Sequence, residues 1–161
     1  MNSALYFPNS EYRIMVVDDD PAVLAMTRGI LVGAGFPVIP ANSGEVALSI
    51  CREEALAGRE ISLIILDLTL PGGMTGLEVL ENLKRLETGV RVIASSGYFD
   101  ESASQAALRR GFTGILPKPY TADRLVKVVN WALGRGSAKS SETAAAEFPE
   151  VSVRPHIEGA A

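Results

Sequence analysis

Ile14-Met15-Val16-Val17-Asp18-Asp19-Asp20-Pro21 is a short apolar run that stops abruptly in three acids and a proline. Such a run, rich in β-branched residues and without polar alternation, reads as a strand buried on both faces. Asp20-Pro21 opens a helix, with a carboxylate at the N-cap and a proline at the first helical position. The turn between strand and helix decides the fold. A dinucleotide-binding half would carry a glycine-rich turn there, and Asp18-Asp19-Asp20 would instead repel a pyrophosphate.

The same punctuation recurs down the chain. Pro37-Val38-Ile39-Pro40, Leu63-Ile64-Ile65-Leu66-Asp67, Val92-Ile93-Ala94-Ser95-Ser96 and Gly114-Ile115-Leu116-Pro117-Lys118 read as four further strands. Amphipathic stretches separate them. The first places Val23, Met26, Ile30 and Leu31 on one stripe, stopped by Gly33 to Gly35. The second opens at Asn42 with the spacing of a capping box to Glu45 and runs to about Ala57. A third, Gly76 to Leu86, shows Leu77, Leu80 and Leu83 on one face; Ser102 with Gln105 caps a fourth; Thr121 opens a fifth with Leu125, Val128, Val129 and Ala132 inward. Strands alternating with helices make an α/β fold, a parallel sheet covered on both faces by right-handed crossovers. The expected arrangement is a doubly wound five-stranded sheet of order 2-1-3-4-5, flavodoxin-like.

Residues 1–11 read as a flexible lead-in, 12–134 as one domain and 135–161 as a disordered tail of Gly, Ser, Ala and Glu with scattered Pro. A length of 161 residues suits that single domain. The net charge of −4 argues against a nucleic-acid partner. No apolar run is long enough to cross a membrane and no signal peptide is evident, so a cytoplasmic location is expected. Cys51 is the single cysteine and reads as a buried apolar residue. The lone histidine, His156, falls in the tail with no acid beside it.

Carboxyl ends of adjacent parallel strands share one crevice. Asp18, Asp19 and Asp67 converge there in the expected order. Clustered carboxylates call for a cation, and hard oxygen ligands select Mg²⁺ or Mn²⁺. Without one, the cluster is expected to be strained by like charge. Asp67 ends an entirely apolar strand, and a carboxylate beside a divalent cation can attack phosphorus. Ser96 can donate a hydrogen bond to a phosphoryl oxygen, and Lys118, between Pro117 and Pro119, can hold an ammonium against the same group.

The chain resembles the receiver (CheY-like) domains of two-component response regulators. The resemblance spans about Glu11 to Leu133 and rests on Val17-Asp18-Asp19, on Leu66-Asp67-Leu68-Thr69-Leu70-Pro71 followed by Gly76, on Ser96-Gly97, and on Lys118-Pro119. It implies a phosphoacceptor module rather than an enzyme acting on a separate substrate. Such a module phosphorylates itself from a phospho-donor with Mg²⁺, loses the group slowly, and switches a face around its fourth helix, fifth strand and fifth helix. Asp67 would be the phosphoacceptor. Asp18, Asp19, Asp67 and the Thr69 backbone carbonyl would be the metal ligands, and Ser96 and Lys118 would contact the phosphoryl group. The Lys118–Pro119 bond resembles one that the family holds cis. The donor implied is a histidine kinase or a histidine phosphotransfer protein, and the downstream partner is unknown.

Three features depart from the commonest pattern. Pro71-Gly72-Gly73-Met74-Thr75-Gly76 is one residue longer than usual and lacks its acid, which with Ser95-Ser96-Gly97-Tyr98 is similar to receivers of hybrid sensor histidine kinases. Ile115 stands where a switch aromatic is common. No output domain is expected in the polar tail. An alternative reading is a haloacid-dehalogenase-like phosphatase with Asp18 as nucleophile and Asp20 as acid. It leaves Asp67 without a role.

Overall fold

The computed structural model describes residues 7–135; most of the expected tail, with His156, lies outside the described residues. In chain order the elements are β1 (Ile14–Val17), α1 (Pro21–Gly33), β2 (Val38–Ala41), α2 (Gly44–Leu56), β3 (Leu63–Asp67), α3 (Gly76–Arg85), β4 (Arg91–Ser96), α4 (Glu101–Arg110), β5 (Gly114–Pro117) and α5 (Ala122–Ala132). The sheet is five-stranded in the order β2-β1-β3-β4-β5, and every pairing is parallel. This is the expected arrangement. The second strand starts one residue later than the sequence suggested. Pro40 lies within it, on an edge strand that tolerates a missing donor.

Period-2 alternation divides the strand side chains between two cores. Met15, Val17, Ile64, Leu66, Val92 and Ala94 face α2 and α3, where Ala47, Leu48, Cys51, Val79, Leu80 and Leu83 meet them. Ile14, Val16, Leu63, Ile65, Ile93 and Leu116 face the other way, onto Leu31 of α1 and Leu125, Val128, Val129 and Ala132 of α5. Because both faces are covered, β1 and β3 are buried at every position, which explains their unbroken apolar runs.

Helix ends follow local chemistry. Asp20 caps α1 as expected, its carboxylate accepting from the N–H groups of Ala22 and Val23. Two expected caps are corrected. The α2 cap is Ser43 rather than Asn42; the Ser43 hydroxyl reaches the Val46 N–H at 3.2 Å, and Glu45 turns elsewhere. Asp100 caps α4 ahead of Ser102, accepting from the Ala103 N–H at 2.7 Å, so the helix begins a residue before the expected cap. Thr75 and Glu78 form a reciprocal capping box at α3. Two apolar stripes are rotated as well. Thr27 and Leu31 form the buried line of α1, and Met26, roughly 100° round the helix from Thr27, is 46% exposed. Likewise Val79, Leu80 and Leu83 are buried in α3, whereas Leu77 falls outside their arc.

Residues 7–11, read as part of a loose lead-in, form turns against the end of α1. The Asn9 side chain donates to Ala34 O at 2.9 Å and its backbone N–H to Gly35 O at 3.2 Å. A Cβ on Gly35, which has φ +88°, would meet Pro8 at 2.6 Å.

Candidate phosphoryl site

Strand register sets the site. Val17 pairs with Leu66 and Asp67 with Ser95, so Asp18 leaves β1 level with Asp67 at the end of β3. Ser96 pairs with Pro117, which brings Lys118 alongside at the end of β5. Backbone bonds hold these ends together: Leu68 N–H donates to Ser95 O and Lys118 N–H to Ser96 O. Gly76 lets α3 start directly behind Asp67, because a Cβ there would stand 2.7 Å from the Asp67 carbonyl oxygen.

Asp18, Asp67 and Ser96 are buried, while Asp19 is exposed. One ligand oxygen from each of Asp18, Asp19 and Asp67 lies within 4.8 Å of the others. Each buried carboxylate divides its oxygens in the same manner. Asp18 Oδ1 accepts from the Asp20 N–H at 2.9 Å, and Asp67 Oδ1 from the Thr69 N–H at 2.8 Å. Their other oxygens both accept from Lys118 Nζ, at 2.5 Å for Asp18 Oδ2 and 2.9 Å for Asp67 Oδ2. One ammonium is therefore shared between the two buried acids. Burial pushes the Lys118 pKa down, but the bonds and charges of Asp18 and Asp67 outweigh it and hold the ammonium above the ordinary lysine value.

Ser96 Oγ accepts from the Tyr98 N–H at 3.1 Å and donates to Tyr98 O at 3.4 Å. Its hydroxyl is engaged within its own loop. Gly97, next to it, has open space where a Cβ would be. The Lys118–Pro119 bond is cis. An oxygen-only acidic cluster with one exposed member, Asp19, suits Mg²⁺.

Two polar contacts near the site were not read from the sequence. Thr27, fully buried on α1, shares a 2.7 Å hydrogen bond with the Tyr120 hydroxyl, two residues beyond Lys118. A polar residue on the helical line between Val23 and Leu31 is the signal that could have revealed it. Burial raises the Tyr120 pKa. The second contact joins Glu45 to the Met74 N–H at 2.9 Å.

The response regulator receiver domain model matches residues 14–130. The chain belongs to that family. It is 36% identical over 121 residues to the nitrogen assimilation regulatory protein NtrX of Azorhizobium caulinodans, covering 74% of this chain and 26% of that protein. It is 30% identical over 123 residues to the chemotaxis protein CheY of Bacillus subtilis, covering 76% of this chain and 98% of CheY. The crystal structure of the NtrX receiver domain from Brucella abortus superposes with a TM-score of 0.68 at 31% identity, over 76% of this chain and 99% of that one. The chain thus spans about a quarter of the NtrX length and nearly all of CheY. A phosphoacceptor signalling role follows from the family. The phosphatase alternative finds no support: Asp20, which would have to be its acid, has its carboxylate committed to the α1 cap. Among the described residues, no helix is long and apolar enough to cross a membrane.

Proposed function

We propose that Asp67 accepts the phosphoryl group from a phosphohistidine of a kinase or phosphotransfer protein. One observation carries this reading: of the clustered carboxylates, Asp67 alone ends the central strand β3, with Ser96 ending β4 and Lys118 directly following β5. The N–P bond to the imidazole breaks as the bond from an Asp67 oxygen to phosphorus forms. The Thr69 N–H fixes the carboxylate plane through Oδ1. The Lys118 ammonium can follow the incoming negative charge, since it already donates to Asp67 Oδ2.

Asp18, Asp19, Asp67 and the Thr69 carbonyl would hold Mg²⁺, which neutralises phosphoryl oxygens when bound. Ser96 exchanges its bond with Tyr98 for one to a phosphoryl oxygen, and the β4–α4 loop moves with it. That local charge event biases a partner-binding face around α4, β5 and α5. Residues 12–134 form the functional unit, which works in the cytoplasm, contacts no nucleic acid itself and loses its phosphoryl group slowly.

The test is direct. Incubation with acetyl phosphate and Mg²⁺, hydride trapping of the acyl phosphate and peptide mapping should label Asp67 alone. Label at Asp18, or undiminished label in Asp67→Asn, overturns the assignment. ATP and Mg²⁺ without a histidine donor should give no label, because among the described residues no strand is followed by a G-x-x-x-x-G-K-[ST] phosphate loop.

A further inference from the structure

The loop between β3 and α3, residues 68–75, carries the Thr69 carbonyl yet contains no acid of its own. Near its start the Asp67 carboxylate holds the Thr69 N–H, and at its end Thr75 caps α3. Between lie Pro71 and two glycines, of which Gly72 has φ +71°. Such a stretch is not self-supporting. It is held from outside, by α2. Glu45 Oε1 accepts from the Met74 N–H at 2.9 Å, across 29 residues of chain.

The packing around this bond is built to allow it. A Cβ on Gly73 would stand 2.8 Å from Glu45 Oε1, so a side chain there would push the carboxylate aside. A Cβ on Gly44 would stand 2.5 Å from Val79 Cγ2 and 3.2 Å from Met74 Cβ, so α2 approaches the loop and α3 closely. Asn82 Nδ2 donates to Met74 Sδ at 3.7 Å, a contact from α3 to the side chain of the same residue. The Glu45 carboxyl is held below the usual carboxylate range, first by its own backbone N–H and then by that of Met74.

We propose that Glu45 is a positioning residue for the metal site: its bond to the Met74 N–H fixes the β3–α3 loop so that the Thr69 carbonyl is presented to Mg²⁺. The inference rests on the reading of Asp67 and Thr69 given above. Glu45 touches neither metal nor phosphoryl group and acts through the loop alone.

Mg²⁺ titrations of the full chain, followed by the Thr69 and Met74 amide resonances, test it alongside melting curves. Glu45→Ala should weaken Mg²⁺ binding about tenfold, the lower end for partners beyond the ligands themselves. Glu45→Gln keeps the acceptor and loses the charge, and should stay within about twofold of wild type. Gly73→Ala should displace the carboxylate and weaken binding like Glu45→Ala, and add nothing in the Glu45→Ala background. Unchanged Mg²⁺ affinity in Glu45→Ala overturns the inference. So does a Glu45→Gln as weak as Glu45→Ala, which would mean a charge effect, or additivity of the Gly73 and Glu45 changes. Should Glu45→Ala fail to fold, Glu45→Gln and Gly73→Ala still decide. Failure of wild type to bind Mg²⁺ would instead overturn the reading of the site, and this inference with it.

Discussion

Lys118 Nζ lies 2.9 Å from Asp67 Oδ2, so the lysine at the end of β5 is paired with the carboxylate at the end of β3, 51 residues earlier. The same ammonium reaches Asp18 Oδ2. One cation thus bonds two buried acids, which ties the ends of β1, β3 and β5 together. Lys118→Ala should leave Asp18 and Asp67 facing each other without compensation. We expect a loss of about 1–2 kcal/mol in urea melts without metal, less than for a fully buried pair because the lysine side chain keeps 21% of its surface in water. Mg²⁺ should recover much of that loss. The mutant's amide response to beryllofluoride with Mg²⁺ should be narrower than that of wild type; an identical spread of shifts would deny the lysine a part in the switch.

Asp19 is the exposed member of the cluster. Asp19→Asn should weaken Mg²⁺ binding sharply while changing stability without metal by under about 0.5 kcal/mol, since Lys118 already compensates the two buried acids. In wild type, Mg²⁺ at a hundred times its dissociation constant should add about 2.7 kcal/mol of stability. Calorimetry of both proteins with and without Mg²⁺ checks this, and a wild-type melting temperature indifferent to Mg²⁺ would count against the metal site.

Ser96 is bonded to Tyr98, not to Asp67. Ser96→Ala should still be labelled at Asp67 by acetyl phosphate, but the Tyr98 amide should shift before phosphorylation and move little after it. A large phosphorylation-induced shift of Tyr98 in the mutant would show that the loop responds by another route.

Cys51 is buried against the core that faces α2 and α3, and burial pushes its thiol up to about 11. At pH 8 it should react with a chromogenic disulfide reagent only as fast as the protein opens, and at once in denaturant. Rapid labelling of the folded protein would mean that α2 is detached.

The order of the strands and the meeting of Asp18, Asp67, Ser96 and Lys118 were legible because each residue directly follows, or ends, an apolar run. Parallel register then does the rest: Val17 opposite Leu66 and Ser96 opposite Pro117 bring the ends together. Helix faces were less legible. Met26 and Leu77 are apolar at nearly the right spacing, and only the packing shows that the buried arcs centre on Thr27–Leu31 and on Val79, Leu80 and Leu83. The cap of α4 lies two residues before Ser102, which has suitable spacing, because the charged Asp100 reaches the orphan Ala103 N–H. Contacts such as Thr27 with Tyr120 and Glu45 with Met74 join residues far apart in sequence through one polar atom each, and no local pattern announces them.

At the opposite end of the sheet, Glu54 at the close of α2 is bonded by two guanidinium groups. Arg59 approaches it at 2.9 and 3.0 Å, and Arg13, just before β1, bonds the same carboxylate. The hydrogen bonds of Arg59, and then of Arg13, hold its carboxyl down at about 2. An unfolded chain has a glutamate near its ordinary value of 4.5. Folding therefore releases a proton from Glu54 between those limits, and the sign follows from linkage. The stabilisation is complete above the unfolded value, falls progressively as pH drops below it, and is gone once the folded carboxyl protonates near 2. Glu54→Gln should be less stable than wild type at pH 7, and the gap between them should narrow steadily from about pH 4.5 downward. Urea melts of both proteins from pH 7 to pH 3 read this out. A gap that is constant across that range would mean that the pair contributes through packing of the arginine stems rather than through charge.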